Sequence, residues 1–141
     1  GWWAVLMASG DCLPPEVRGV IADSAYTSPR ASWQHVMGKN RHLPVRAATV
    51  VADLLCQKRL NASSGSYSTV EALKNTDVPI LLIHGEDDHF GPLKMAFENR
   101  DACAAPCKLL VVPGADHAMS YYRGRGAYEA AVRAFWKHFD K

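Results

Sequence analysis

The sequence predicts an α/β protein: a doubly wound, mostly parallel sheet with helices on both faces. Three observations predict it. Short aliphatic runs recur at residues 17–22 (VRGVIA), 78–85 (VPILLIHG) and 108–113 (KLLVVP). The middle run is unbroken, as a strand buried on both sheet faces requires. Stretches of helical periodicity lie between and after these runs, and polar turns close each one.

The elements follow in chain order. Residues 1–9 (GWWAVLMAS) are apolar nearly all round, which fits a buried helix or a buried strand, and Gly10 stops the run. Residues 11–16 (DCLPPE) contain two prolines and read as loop. Residues 17–22 form the first strand, and 23–29 (DSAYTSP) a polar turn. Ser28 before Pro29 starts a helix: the serine caps it, and proline suits the first helical position. That helix runs to about Met37, and 38–40 (GKN) ends it. Residues 43–60 are a second helix, with Val45, Thr49, Ala52, Leu55 and Cys56 on one face. Residues 61–68 (NASSGSYS) are a polar connection, too short to link domains. Ser68 to Glu71 matches the S/T-x-x-E capping box and opens a short helix to Lys74. The strand at 78–85 precedes a helix over 92–103, with Leu93, Ala96, Phe97 and Arg100 to one side. The strand at 108–113 precedes a helix over 126–139, striped by Tyr128, Ala131, Val132, Phe135, Trp136 and Phe139. Residues 1–141 read as one domain without internal repeats. Three strands make a thin sheet for this class, so further strands are expected ahead of residue 1.

Composition narrows the function. Hydrophobic residues make up 48% and charged residues 21%, a globular balance. Sixteen basic against fourteen acidic residues leave a net charge of +2 without a Lys/Arg cluster, so nucleic acid is not an expected partner. No apolar run approaches the roughly 20 residues that span a bilayer. Cys12, Cys56, Cys103 and Cys107 form no CxxC pair, and Pro106 argues against a shared helix face for the last two. Unpaired thiols are expected, which favours a reducing compartment.

Ligands of open α/β sheets bind beyond the carboxyl ends of the strands. Two polar clusters stand at such ends: 84–92 (HGEDDHFGP) and 113–120 (PGADHAMS). An acid after one strand and a histidine after the next assemble an Asp–His pair. The acid holds the imidazole in one tautomer, and the imidazole serves as general base toward a hydroxyl. Plainer roles stand beside this one. Asp88 could cap the helix that follows, Glu86 and Asp87 form a solvated turn, Asp116 faces solvent, and His117 is a surface residue. His84 and His89 with Asp87 and Asp88 suggest metal ligation, but no HExxH pattern supports it, and His84 reads as structural. Ser24 and Ser120 lack the flanking glycines of a strained nucleophile turn. Tyr121 and Tyr122 read as packing residues, and 23–28 as the rim of the site.

The segment VPILLIHGEDDHFGP resembles the alpha/beta-hydrolase pattern of apolar strand, His-Gly, an acid three residues on, and a proline four further. LLVVPGADHAMSYY resembles the same family's strand, Pro-Gly-Ala, one variable residue and the catalytic histidine. The resemblance implies that Asp88 is the catalytic acid and His117 the catalytic histidine, in the family's chain order. Residues 1–29 are similar to the stretch that follows the family's Gly-x-Ser-x-Gly elbow. Gly1 would be the last glycine, and the serine would stand two residues ahead of it, with an oxyanion-hole donor also upstream. Trp2 and Trp3 stand where the family usually has small residues, and Gly91 where valine is commoner. The likeness is weakest over 30–67, the counterpart of the family's variable helical cap, where substrate choice is set.

The resemblance thus implies the C-terminal half of a serine hydrolase, similar to bacterial esterases and lysophospholipases. Its substrates would be carboxylic esters or thioesters, cleaved through an acyl-enzyme without cofactor or metal. The expected partners are a small acyl ester and the missing N-terminal half of the fold. The chain alone is expected to be nearly inactive and to self-associate through an unpaired strand edge. A serine peptidase of the same fold and a non-catalytic binding module are the alternatives. Related bacterial enzymes include cytosolic forms and forms with an N-terminal anchor, so the compartment stays open.

Overall fold

The computed structural model describes residues 1–8, 13–39 and 44–140. Their elements are α1 (Trp2–Met7), β1 (Val20–Asp23), α2 (Pro29–Gly38), α3 (Val45–Leu60), α4 (Thr69–Leu73), β2 (Ile80–Gly85), α5 (Leu93–Ala102), β3 (Cys107–Val112), α6 (Ser120–Arg123) and α7 (Arg125–Phe139). The strands are parallel in the order β1-β2-β3, with Val20 opposite Ile80 and Ile80 opposite Cys107. Every residue of the central strand β2 is buried.

Strand alternation divides the core. Ile80 and Leu82 join Val5 of α1, Ala22 of β1 and Leu73 of α4 on one face. Leu81 and Ile83 join Val112, Ala115 and Phe135 on the other, with Tyr128, Ala131, Val132 and Phe139 of α7 packed around them. Each buried aliphatic side chain of β2 contributes roughly 1.5–3 kcal/mol. Helices therefore cover both faces, and the doubly wound class is borne out.

The helix starts follow the sequence. Ser28 accepts from Ala31 N at 3.1 Å with Pro29 next, and Ser68 accepts from Glu71 N at 3.3 Å. Residues 2–7 are helical, which resolves the first apolar run. The expected stop at Gly10, the loop residues Asp11 and Cys12, the helix end at Asn40 and the helix start at Leu43 lie outside the described residues. Cys56, Cys103 and Cys107 carry free thiols. No described helix is long and apolar enough to cross a membrane.

Four expectations need correction. β1 begins at Val20 rather than Val17, because Val17 N bonds Pro14 O in a turn and Gly19 lies against the Phe135 ring. Of the face expected on α3, Thr49 is buried and Val45, Ala52 and Cys56 are half-buried, but Leu55 is 51% exposed, and Ala48 and Asp53 are half-buried instead. The cause is polar: Asp53 pairs with Arg30 of α2 and accepts from Ser64, which sets the helix rotation. α5 buries Met95, Ala96 and Asn99 in place of Phe97 and Arg100. Asn99 turns inward because it bonds Thr69 Oγ1 at 2.6 Å and Ala25 O at 3.2 Å. Tyr122 is 79% exposed and packs into no core, and the short helix α6 around it was not anticipated.

Candidate active site

The site lies where β2 and β3 end. Glu86 N donates to Val112 O at 2.9 Å and Asp87 N to Ala115 O at 3.0 Å, so the two following loops are laced together. Glycine is required where they meet: a Cβ on Gly85 would stand 2.2 Å from Ala115 O. Gly114 turns the second loop with φ +65°.

Asp88 is buried there and its carboxylate is surrounded by donors. Oδ1 accepts from Phe90 N at 2.9 Å and Gly91 N at 2.8 Å. Oδ2 lies 2.8 Å from His117 Nδ1. Asp88 therefore organises its own loop and does not cap α5, whose N-cap is Pro92. His84, also buried, donates its Nε2–H to Gly91 O at 2.6 Å and stands 3.3 Å from Asp88 Oδ2. It holds from behind the turn that Asp88 holds from the front.

The bond from His117 Nδ1–H to the carboxylate leaves the Nε2 lone pair as the imidazole's acceptor. The His117 side chain is 36% exposed, and among the described residues its ring bonds only Asp88. The two residues singled out by the sequence thus come together as a hydrogen-bonded pair. Phe90 packs on the imidazole with ring centroids 4.9 Å apart, and Tyr26 packs edge-on to Phe90 at 5.9 Å.

Asp116 is solvent-exposed as expected, yet it is also a tie. One carboxylate oxygen accepts from His89 N at 3.0 Å and His117 N at 2.7 Å. It joins the loop of the acid to the loop of the histidine. Those backbone donors, His89 first, lower its pKa to about 2.

The carboxyl end of β1 borders the same site. Ser24 Oγ donates to Asp23 Oδ1 at 3.0 Å and accepts from Ala118 N at 3.0 Å. Ser120 Oγ donates to the same Asp23 oxygen at 3.4 Å. Ser24 and Ala118 both sit at positive φ, 52° and 58°. Both hydroxyls are buried in this strap behind the histidine loop, and neither bonds the imidazole among the described residues. The start of α1 meets this end too: a Cβ on Gly1 would stand 2.2 Å from Asp23 O.

The suggested metal ligands are divided. His84 faces inward to Gly91 and Asp88, while exposed His89 stands 3.4 Å from Asp116. Among the described residues, no three His, Cys, Asp or Glu side chains are placed to share an ion. Ser32 Oγ of α2 donates to Phe90 O at 3.2 Å, and Lys39 Nζ, just past the end of α2, donates to His89 O at 2.7 Å, which seats α2 on the acid loop.

Sequence reasoning missed the roles of Phe90, Asp116 and Ser24. The available signal was position alone: each adjoins, or stands one strand away from, a residue already marked.

Comparisons place this geometry in a family. A family profile described as TAP-like protein, an alpha/beta-hydrolase group, matches residues 43–138. The uncharacterized protein YqkD of Bacillus subtilis is 26% identical over 115 residues, covering 82% of this chain and 38% of that protein. The bifunctional esterase/perhydrolase DCH of Acinetobacter calcoaceticus is 39% identical over 49 residues, covering 35% of this chain and 18% of that protein. This chain thus spans well under half the length of either relative. The esterase Pf2001 of Pyrococcus furiosus superposes with a TM-score of 0.64 at 18% identity, over 98% of this chain and 49% of that one. The profile covers more than half of the sequence and the fold agrees with it, so the chain belongs to the TAP-like family of alpha/beta-hydrolases.

Proposed function

We propose that the protein is a serine hydrolase that cleaves carboxylic esters or thioesters. The observation that carries this reading is the pair itself: His117 Nδ1 lies 2.8 Å from the oxygen of a buried carboxylate whose other oxygen is held by two backbone N–H groups. Such an acid keeps the imidazole in one orientation and tautomer. Nε2 then takes the proton of a serine hydroxyl as that oxygen attacks the acyl carbon. The proton passes to the departing alcohol or thiol, and water resolves the acyl-enzyme by the reverse sequence. The esterase named among the relatives supports an ester substrate.

The nucleophile in this reading belongs to the segment that enters α1, two positions ahead of Gly1. Its support is the seat of Gly1 against Asp23 O, beside the Ser24 hydroxyl that holds Ala118 N. The 141 residues by themselves are then nearly inactive.

The test is made on the gene product with its native segment before Gly1. A fluorophosphonate should label that serine, and His117→Ala should lower ester turnover at least about a thousandfold. Turnover that survives His117→Ala would sink the proposal. Faster cleavage of a matched amide than of the ester would move it to a peptidase.

A further inference from the structure

Two residues beside the site hold a left-handed backbone without being glycine. Ser24 stands at φ 52°, and Ala118, the residue after His117, at φ 58°. Side chains seldom adopt this conformation, and the surroundings must offset its cost. The two residues are joined to each other: the Ser24 hydroxyl accepts from Ala118 N at 3.0 Å, across 94 residues of chain. The bond has a fixed polarity. Ser24 Oγ–H is given to Asp23 Oδ1 at 3.0 Å, which leaves an oxygen lone pair for Ala118 N. Its base is fixed as well, because Ser24 N donates to Ile83 O at 2.9 Å, in the strand that leads to Asp88. Ser24 is 6% exposed, whereas the other tie beside His117, the Asp116 side chain, is 56% exposed. Water competes for the second tie far more than for the first. The proton transfers described above make no use of Ser24.

We infer that Ser24 is a positioning residue for His117: its hydroxyl, oriented by Asp23, sets where the imidazole stands relative to Asp88. This rests on the ester-hydrolase reading above. The hydroxyl grips the loop one residue past the histidine, from a point that is rigid with the sheet. Without it, the left-handed backbone of Ala118 loses the bond that offsets its cost. Ala118 then relaxes toward an ordinary φ, and the rotation passes to the neighbouring Cα of His117. A displacement of about 1 Å in a catalytic group lowers a rate about a hundredfold. The loss falls on kcat, because the bond acts on the base and not on the acyl group.

The test uses the native gene product and two variants that both remove the hydroxyl. Glycine suits a φ of 52° and alanine does not, so Ser24→Gly should be the more stable of the two in urea unfolding. Stability is read beside kcat and KM on a butyrate ester and beside the downfield Nδ1–H proton resonance of His117. Ser24→Gly and Ser24→Ala should both lose about 10- to 100-fold in kcat with KM little changed. In both, the resonance should broaden through exchange with water. A kcat that follows stability, low in Ser24→Ala and within about threefold of native in Ser24→Gly, would show a merely structural role and overturn the inference. A resonance that stays sharp in both variants overturns it too, whatever happens to kcat. Should one variant fail to fold, the other still decides through its resonance. A native protein without ester turnover removes the hydrolase reading, and the resonance then decides alone: broadened in the variants, it supports Ser24 as the residue that holds the imidazole, and unchanged, it refutes that.

Discussion

Replacing Asp88 with asparagine tests the geometry of the pair most directly. The shape is conserved, and the amide oxygen can still accept from Phe90 N and Gly91 N, now at 2.9 and 2.8 Å. The amide nitrogen then takes the place of Oδ2, 2.8 Å from His117 Nδ1 and 3.3 Å from His84 Nε2. His84 cannot answer it, because its Nε2–H is committed to Gly91 O at 2.6 Å. His117 Nδ1 must become the acceptor, so the ring proton moves to Nε2. An Nε2 that carries a proton cannot take one from a hydroxyl. The same exchange in a serine-protease triad lowers kcat about 10⁴-fold, or about 5.5 kcal/mol of barrier. The expected result for Asp88→Asn in the gene product is a loss of that order in kcat, with KM little changed. The downfield Nδ1–H proton resonance of the native histidine should vanish with it. A kcat within about tenfold of native would refute the orienting role, since the tautomer argument leaves no route to so small an effect.

Three further outcomes follow from the surrounding structure. Asn99→Leu strips Ala25 O and the Thr69 hydroxyl of a buried partner and should cost about 3 kcal/mol in urea unfolding; a loss below about 1 kcal/mol would show that the pair is not needed. Gly85→Ala drives a methyl to 2.2 Å from Ala115 O and should destabilise by about 1–3 kcal/mol, and an unchanged melt would mean that the two loops separate freely. Asp116 has its pKa lowered from the ordinary 3.8 to about 2, so its stabilising effect is complete above the ordinary value and is lost as pH falls from there through about 2. An NMR titration should find its midpoint near that lower value, and an ordinary midpoint would mean that the tie to His89 N and His117 N is not kept in solution.

Much of this architecture was readable because it is written locally. β2 is a continuous aliphatic run, and burial on both faces demands nothing else of it. Ser28 and Ser68 cap helices through bonds three residues away. Asp88 and His117 could be marked because each sits in a short motif directly after its strand. The rotations of α3 and α5 could not be read in this way. Arg30 reaches Asp53 across 23 residues, and Asn99 reaches Ala25 across 74. A polar side chain that pairs far away in sequence turns inward against its own hydropathy, so periodicity placed Thr49, Ala52 and Ala96 correctly but also turned Leu55, Phe97 and Arg100 inward. Asp116 is a similar case: its exposure was foreseen, but the backbone N–H of His89 that it holds belongs to another loop.

The sequence by itself determined the parallel α/β class and the helix starts, and it singled out Asp88 and His117 as a pair to look for. These rest on composition, spacing and contacts within a few residues. Only the tertiary structure decided that the two side chains meet at 2.8 Å and that Asp116 ties the loop of one to the loop of the other. Those features are distances between segments far apart along the chain, and such distances exist only once the sheet has brought its strand ends together.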